Sequence, residues 1–299
     1  MKKVSERIKE FLEYHINGDG ECNSVVLKEW ADQNKLSFLQ RFELCYWFSV
    51  TYCVLSAIVL FKDENLYKNS AELKKNIIFQ SDRKYIKMEQ RFEKTIKFFI
   101  DHLKKPYMFL NKVLKNGKLD LKKAVCECEK WSQFGRFSSF LFLEAFSWVA
   151  QLPVINTSID WKKGDTATSG LLNVFGYDKE ADIFDRTGKL FLSYMDLDNL
   201  LNKLINKINE KRGISDVTCV ETSLCAYRKH YKGSRYNGYY LDRMLEELHK
   251  SKKIFPDVVK ELFFIRKLKF NHNYLGELNG WKGIRKDLKK LYVLKGVMN

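Results

Sequence analysis

The stretch Ser193-Tyr-Met-Asp196-Leu197-Asp-Asn-Leu200-Leu201-Asn-Lys-Leu204-Ile205-Asn-Lys-Ile208-Asn-Glu-Lys211-Arg212-Gly213 carries the plainest structural signal in the chain. Its apolar residues recur at steps of three and four, which gathers them on one face of a helix. Ser193 with Asp196 three places on has the form of a capping box. Lys211 and Arg212 put positive charge into the last turn, and Gly213 is the residue type that stops a helix. The same periodicity runs through Met88, Phe92, Ile96, Phe99 and Leu103. Phe137 to Gln151 reads as another apolar helix, ended by Leu152-Pro153, and Pro256 opens one over Asp257 to Lys267.

Only three prolines occur in 299 residues. Helices exclude proline from their interiors, so this scarcity fits a helical chain and argues against a β-sandwich with its frequent turns. No period-2 strand stands out. The expectation is an all-α, multi-helix globular fold without substantial sheet. It is read as a single helical domain over 1–299, with two lobes meeting near residues 152–170. Loops are expected at 17–23, 156–169, 177–189 and 270–283. Phe42 to Phe61 is 20 residues long with Glu43 as its one charge, which is long enough to span a bilayer. Tyr46, Ser49, Thr51, Tyr52 and Ser56 interrupt it, so it is read as a buried core helix and no membrane is expected.

The seven cysteines are odd in number and scattered. They do not form a disulfide framework, and they fit a reducing cytoplasm. Cys45 and Cys53 read as small buried hydrophobes. Cys126-Glu-Cys128 lacks the second ligand pair of a zinc site. Met1-Lys2-Lys3-Val4-Ser5-Glu6 is not followed by the apolar run of a signal peptide.

Lys and Arg number 53 against 37 Asp and Glu, a net charge of +16. Such a surplus favours a polyanionic partner: nucleic acid, a phosphorylated ligand or an acidic membrane surface. A generally basic surface without a particular partner stays open. Phosphate loops of the GxxxxGK[ST] type, GxGxxG, HExxH and GxSxG are all absent. The five histidines are dispersed and read as surface or core residues.

The densest chemistry lies in ETSLCAYRKHYKGSRYNGYYLDR, 221–243. On a helix Glu221, Cys225 and Arg228 share a face. Gly233 and Gly238 allow close backbone approach, and cations interleaved with tyrosines suit phosphate contact and base stacking. A solvated basic helix-turn-helix with inward tyrosines is the bland alternative. Two further clusters are FQSDRKYIK, 79–87, and FGRFSSFLFLEA, 134–145. In the second, Gly135 and Arg136 precede a helix, where N–H groups favour an anion. Each cluster is equally compatible with a capped helix bearing a surface arginine.

These three stretches, with YWFSVTYCVLSAIVLF (46–61) and GDTATSGLLNVFGYD (164–178), resemble the phage thymine-hypermodification enzymes. That family comprises the alpha-glutamyl/putrescinyl thymine pyrophosphorylases, or amino acid:DNA transferases. The resemblance covers about residues 41–247. It implies an all-helical protein related to DNA glycosylases, acting in the cytoplasm of a bacteriophage-infected cell. It implies DNA carrying pyrophosphorylated hydroxymethyluracil as substrate, and displacement of pyrophosphate by an amino acid or polyamine. The chain departs from glycosylases in lacking an LPGxGxxTA-type hairpin.

That reaction makes demands on the residues. A base taken out of the stack needs an aromatic pocket, for which Phe134, Tyr236, Tyr239 and Tyr240 are candidates. The leaving pyrophosphate needs cations, assigned to Arg83, Arg136, Arg228 and Arg235. The amine must lose a proton, and Glu221 is the first choice of base, ahead of Asp242 and Glu144. Lys229 or Arg243 would meet a donor carboxylate or DNA. No enzyme nucleophile is needed, so Cys225 is read as packing. No cofactor is required; Mg2+ would serve only to screen the pyrophosphate, and no carboxylate cluster demands it. The alternatives are the helical part of a hydroxymethyluracil DNA kinase, a glycosylase, or a non-catalytic DNA-binding protein.

Overall fold

The computed structural model describes residues 3–16, 22–79, 88–155, 165–177, 192–212, 217–232 and 239–270. In chain order the helices are α1 (Val4–Ile16), α2 (Cys22–Gln33), α3 (Phe38–Thr51), α4 (Val54–Lys62), α5 (Leu66–Asn76), α6 (Met88–Phe98) and α7 (Tyr107–Val113). They continue with α8 (Leu121–Cys128), α9 (Arg136–Val149), α10 (Asp165–Val174), α11 (Tyr194–Arg212), α12 (Val217–Tyr231), α13 (Tyr239–Ser251) and α14 (Pro256–Lys269). The protein is mostly all-α, as the proline scarcity and periodicity predict.

A small sheet is the exception. Strands β1 (Leu114–Lys115) and β2 (Lys118–Asp120) pair antiparallel, and β3 (Val154–Ile155) joins β2 in parallel. Asn116 and Gly117 form the two-residue turn, with φ of 51° and 71°. Asn-Gly is the favoured pair for a hairpin turn with both central residues left-handed. The strands are too short for an alternation to show in the sequence.

Two compact units make up the chain. The first holds Met1–Glu21, Ile159–Arg243 and Phe270–Asn299; the second holds Cys22–Ser158 and Met244–Lys269. In the second unit an aromatic cluster forms the core. The Phe42 ring meets Phe142, Phe146, Phe109 and Trp131 with centroids 5.1 to 6.1 Å apart. Arg41 ties three segments together: Nη1 donates to the Val149 carbonyl at 2.6 Å, Nε donates to the Leu36 carbonyl at 3.0 Å, and Nη2 pairs with Asp32 at 2.6 Å. The periodic helix at 88–103 is present. Its last turn, Phe99–Leu103, widens to π geometry while Phe92, Ile96, Phe99 and Leu103 stay buried.

One expectation fails here. The apolar run Phe42 to Phe61 is not a single helix. Tyr52 adopts a left-handed conformation (φ 52°, ψ 29°) and caps α3, its N–H donating to the Phe48 carbonyl. Thr51 Oγ1 donates to the carbonyls of Trp47 and Cys53, which satisfies groups freed at the break. Cys45 and Cys53 are buried, as read. No helix among the described residues is long and apolar enough to cross a membrane. The loop expected at 156–169 overlaps α10, which begins at Asp165; residues 156–164 lie outside the described residues.

The first unit packs α1, α10, α11 and α12 around one core. Phe11 and Tyr14 of α1, Leu171 and Val174 of α10, Leu197, Leu201, Leu204 and Ile208 of α11, and Val220, Leu224 and Tyr227 of α12 are all buried in it. Ser193 and Asp196 cap α11 as predicted: Asp196 N–H donates to Ser193 Oγ at 3.2 Å, and Ser193 N–H donates to the Asp196 carboxylate at 3.0 Å. The hydrogen bonds from Ser193 hold the Asp196 carboxyl below the usual range.

Candidate active site

Helix α12 carries the first part of the chemical stretch, and its neighbours fix where it lies. Gly170 of α10 faces the backbone of Leu224: a Cβ added there would lie 2.2 Å from the Leu224 carbonyl oxygen. The two helices therefore touch backbone to backbone at this point. Tyr227, fully buried, meets Phe11 edge-on at 5.3 Å and Tyr14 at 5.8 Å. Burial pushes its phenol well up, with the Glu10 carboxylate reinforcing the shift. His15 and Ser223, both buried, hydrogen-bond at 2.8 Å.

Arg7 is a feature the sequence does not announce. It is buried, and its Nη1 donates to the Asn173 carbonyl and to the Tyr231 hydroxyl, both at 3.1 Å. Its guanidinium also lies 5.5 Å from the Tyr231 ring centre. Asn173 is in the last turn of α10, where carbonyls lack helical partners and a cation is favoured. Arg7 thus joins the ends of α10 and α12 from α1. In the sequence it is one of 53 basic residues, and only burial distinguishes it.

The opposite side of α12 is the half-buried one. Glu221, Cys225 and Arg228 fall there on one face, as the spacing predicts, and Cys225 Sγ donates to Glu221 Oε1 at 3.5 Å. Lys229 is half-buried beside them. Arg228 Nε is buried and makes no hydrogen bond among the described residues. Buried donors are nearly always paired, so an unpaired one stands out on this face. A carboxylate and a guanidinium stand about two turns apart on one face, which is an arrangement for holding an ammonium group and an anion side by side.

The next helix brings the other candidates of this stretch. Tyr239 and Tyr240 are half-buried at the start of α13, their rings edge to face at 5.3 Å. Asp242, in the first turn of that helix, is fully buried, and Arg243 is half-buried. Arg83, Arg235 and Tyr236 lie outside the described residues.

The remaining candidates belong to the second unit. Arg136 is the first residue of α9 and half-buried, following Gly135, which gives the helix no side-chain cap. Glu144 is buried in the same helix. Phe134 does not present an open face. It is buried, stacked on Tyr46 at 5.3 Å with ring planes 10° apart, and meets Trp131 at 5.1 Å. Those contacts make it a core residue; the rings around it claimed a side chain that the sequence left next to a glycine loop. Among the described residues no three His, Cys, Asp or Glu side chains stand together where they could hold a metal ion.

A family profile for amino acid:DNA transferases matches residues 61–236, more than half of the chain. The chain belongs to the amino acid:DNA transferase family. The match spans Gly170, Glu221, Cys225 and Arg228, and leaves out α1 with Arg7. No curated protein matches the chain.

Proposed function

We propose that this protein transfers an amine, from an amino acid or a polyamine, to a thymine-derived base in DNA. The substrate base is hydroxymethyluracil whose hydroxyl carries a pyrophosphate. The observation that carries this reading is the half-buried face of α12, where Glu221 and Arg228 stand about two turns apart and Arg228 Nε is without a partner among the described residues. Family membership supports the general activity.

In the reaction the amine nitrogen attacks the exocyclic carbon of the base. The bond from that carbon to the pyrophosphate oxygen breaks, and the electron pair leaves with pyrophosphate. The nitrogen gives up a proton to Glu221. Arg228 meets the charge that grows on the leaving group, where a fixed donor is worth most. Arg83, Arg136 and Arg235 are the further cations assigned to phosphate. Lys229 or Arg243 pairs with the donor's carboxylate when the donor is an amino acid. Tyr236, Tyr239 and Tyr240 receive the flipped base. Among the carboxylates, Glu221 is half-buried, whereas Asp242 and Glu144 are buried. The chemistry needs no cofactor, and Mg2+ would act only as a screen for pyrophosphate.

The test is incubation of the purified chain with DNA containing pyrophosphorylated hydroxymethyluracil and a pool of amino acids and polyamines. Pyrophosphate release matched by a nucleoside heavier by one amine is the expected result. Intact substrate despite tight DNA binding would leave a binding protein. Alkali-labile strand breaks in place of a new nucleoside would mark a glycosylase.

A further inference from the structure

Helix α11 presents a second feature on its outer side. Leu197, Leu201, Leu204 and Ile208 are buried on its inner side. On the outer side Met195, Asn199, Asn202, Asn206 and Asn209 follow one another at steps of four, three, four and three, and all five are exposed. Helix stability does not favour this stripe. Asparagine is among the poorer helix formers, because its side chain competes for the backbone, and Lys, Glu, Gln or Arg would hold a solvated face better. No acidic residue lies between Asn199 and Asn209, Lys203 and Lys207 flank the stripe, and Asp198 and Glu210 stand at its two ends. At about 1.5 Å per residue the four asparagines span roughly 15 Å of helix.

A side-chain amide offers a donor and an acceptor at once. It pairs with adenine at two points in the major groove, and that groove, about 12 Å wide, admits an α-helix. Duplex DNA carries a negative charge every ~1.7 Å of its axis, which rewards the lysines at the edge of the stripe. The +16 charge of the whole chain acts in the same direction.

We infer that the Asn199, Asn202, Asn206 and Asn209 stripe, with Lys203 and Lys207, is a duplex-DNA contact face. The asparagines reach base edges and the lysines reach phosphates, away from the base that reacts. The inference rests on the reading of DNA as the substrate.

The experiment is fluorescence anisotropy with an unmodified DNA duplex, titrated at several salt concentrations with the full chain. The proteins are wild type, N202A/N206A and K203A/K207A. Alanine is the better helix former, so circular dichroism is expected to show α11 intact in each. N202A/N206A is expected to weaken binding about tenfold or more, with the salt slope kept, since good amide–base pairs carry that much. K203A/K207A is expected to flatten the slope of log affinity against log salt by about 1.8, from two phosphates at ~0.9 each. Wild-type affinity and slope in both variants overturn the inference, as does a wild-type chain that binds helical RNA in preference to the duplex. Pyrophosphate release measured alongside separates the two readings. Turnover by wild type with unchanged DNA binding by the variants sinks the stripe alone. Weakened binding by the variants without turnover by wild type sinks the transferase alone.

Discussion

Gly170 and Leu224 bring two helices into backbone contact: a Cβ on the first would sit 2.2 Å from the carbonyl oxygen of the second. Backbone cannot move aside as a side-chain tip can, so any larger residue at 170 pushes α12 away from α10. Gly170→Ala is expected to lower stability by about 3 kcal/mol, the upper end for overpacking. Urea unfolding monitored by circular dichroism measures this, and an unchanged midpoint would mean the helices separate freely. Because α12 carries Glu221 and Arg228, turnover is expected to fall in the same variant.

Arg7 hydrogen-bonds to Asn173 and Tyr231 inside the first unit. Arg7→Met keeps much of the apolar stem and loses both bonds, with an expected cost of about 2–3 kcal/mol, as for hydrogen bonds to a charged group. Arg7→Lys is expected to restore little, since an ammonium lacks the planar fork. Thermal melts of the two variants beside wild type decide this. Equal melting temperatures would show that the Arg7 hydrogen bonds add nothing to the stability of the unit.

Glu221→Gln removes the proposed base while keeping the shape and the acceptor for Cys225. Turnover is expected to drop by about 10² to 10⁴, the usual contribution of a positioned base. DNA affinity is expected to hold or rise slightly, because a negative charge is removed. Single-turnover assays with saturating enzyme separate the two effects. Full activity in Glu221→Gln would exclude this carboxylate as the proton acceptor.

Glu43 links stability to pH. Burial raises its carboxyl above the ordinary value of 4.5, only partly offset by the Trp47 Nε1–H bond at 3.3 Å and the nearby Lys104 charge. A carboxyl raised on folding favours the protonated form. Its contribution is therefore present below 4.5 and lost as pH rises through the folded value. Glu43→Gln is expected to melt higher than wild type at neutral pH, with the difference closing in acid. A gap that widens in acid would reverse the sign of the argument.

Much of the architecture was legible because helices write themselves locally. Ser193 and Asp196, three residues apart, cap α11, and the three- and four-residue steps from Leu197 to Ile208 became its buried face. The alignment of Glu221, Cys225 and Arg228 was equally local, a matter of 100° per residue along one helix. The Asn116-Gly117 hairpin was not expected, because the strands it joins are too short to alternate.

Periodicity, capping and charge thus set the helical class and the alignment of Glu221, Cys225 and Arg228 on one face of α12 from sequence alone, since each depends on neighbours within a turn. The tertiary structure decided what depends on distant residues. It broke the Phe42–Phe61 run at Tyr52, where no glycine or proline marks the bend. It took Phe134 into the aromatic core through Tyr46 and Trp131. It gave Gly170 and Arg7 their tasks, through contacts with residues 54 and 166 or more positions away. The physical reason is that burial and close approach belong to pairs of surfaces, and a linear pattern describes only one surface at a time.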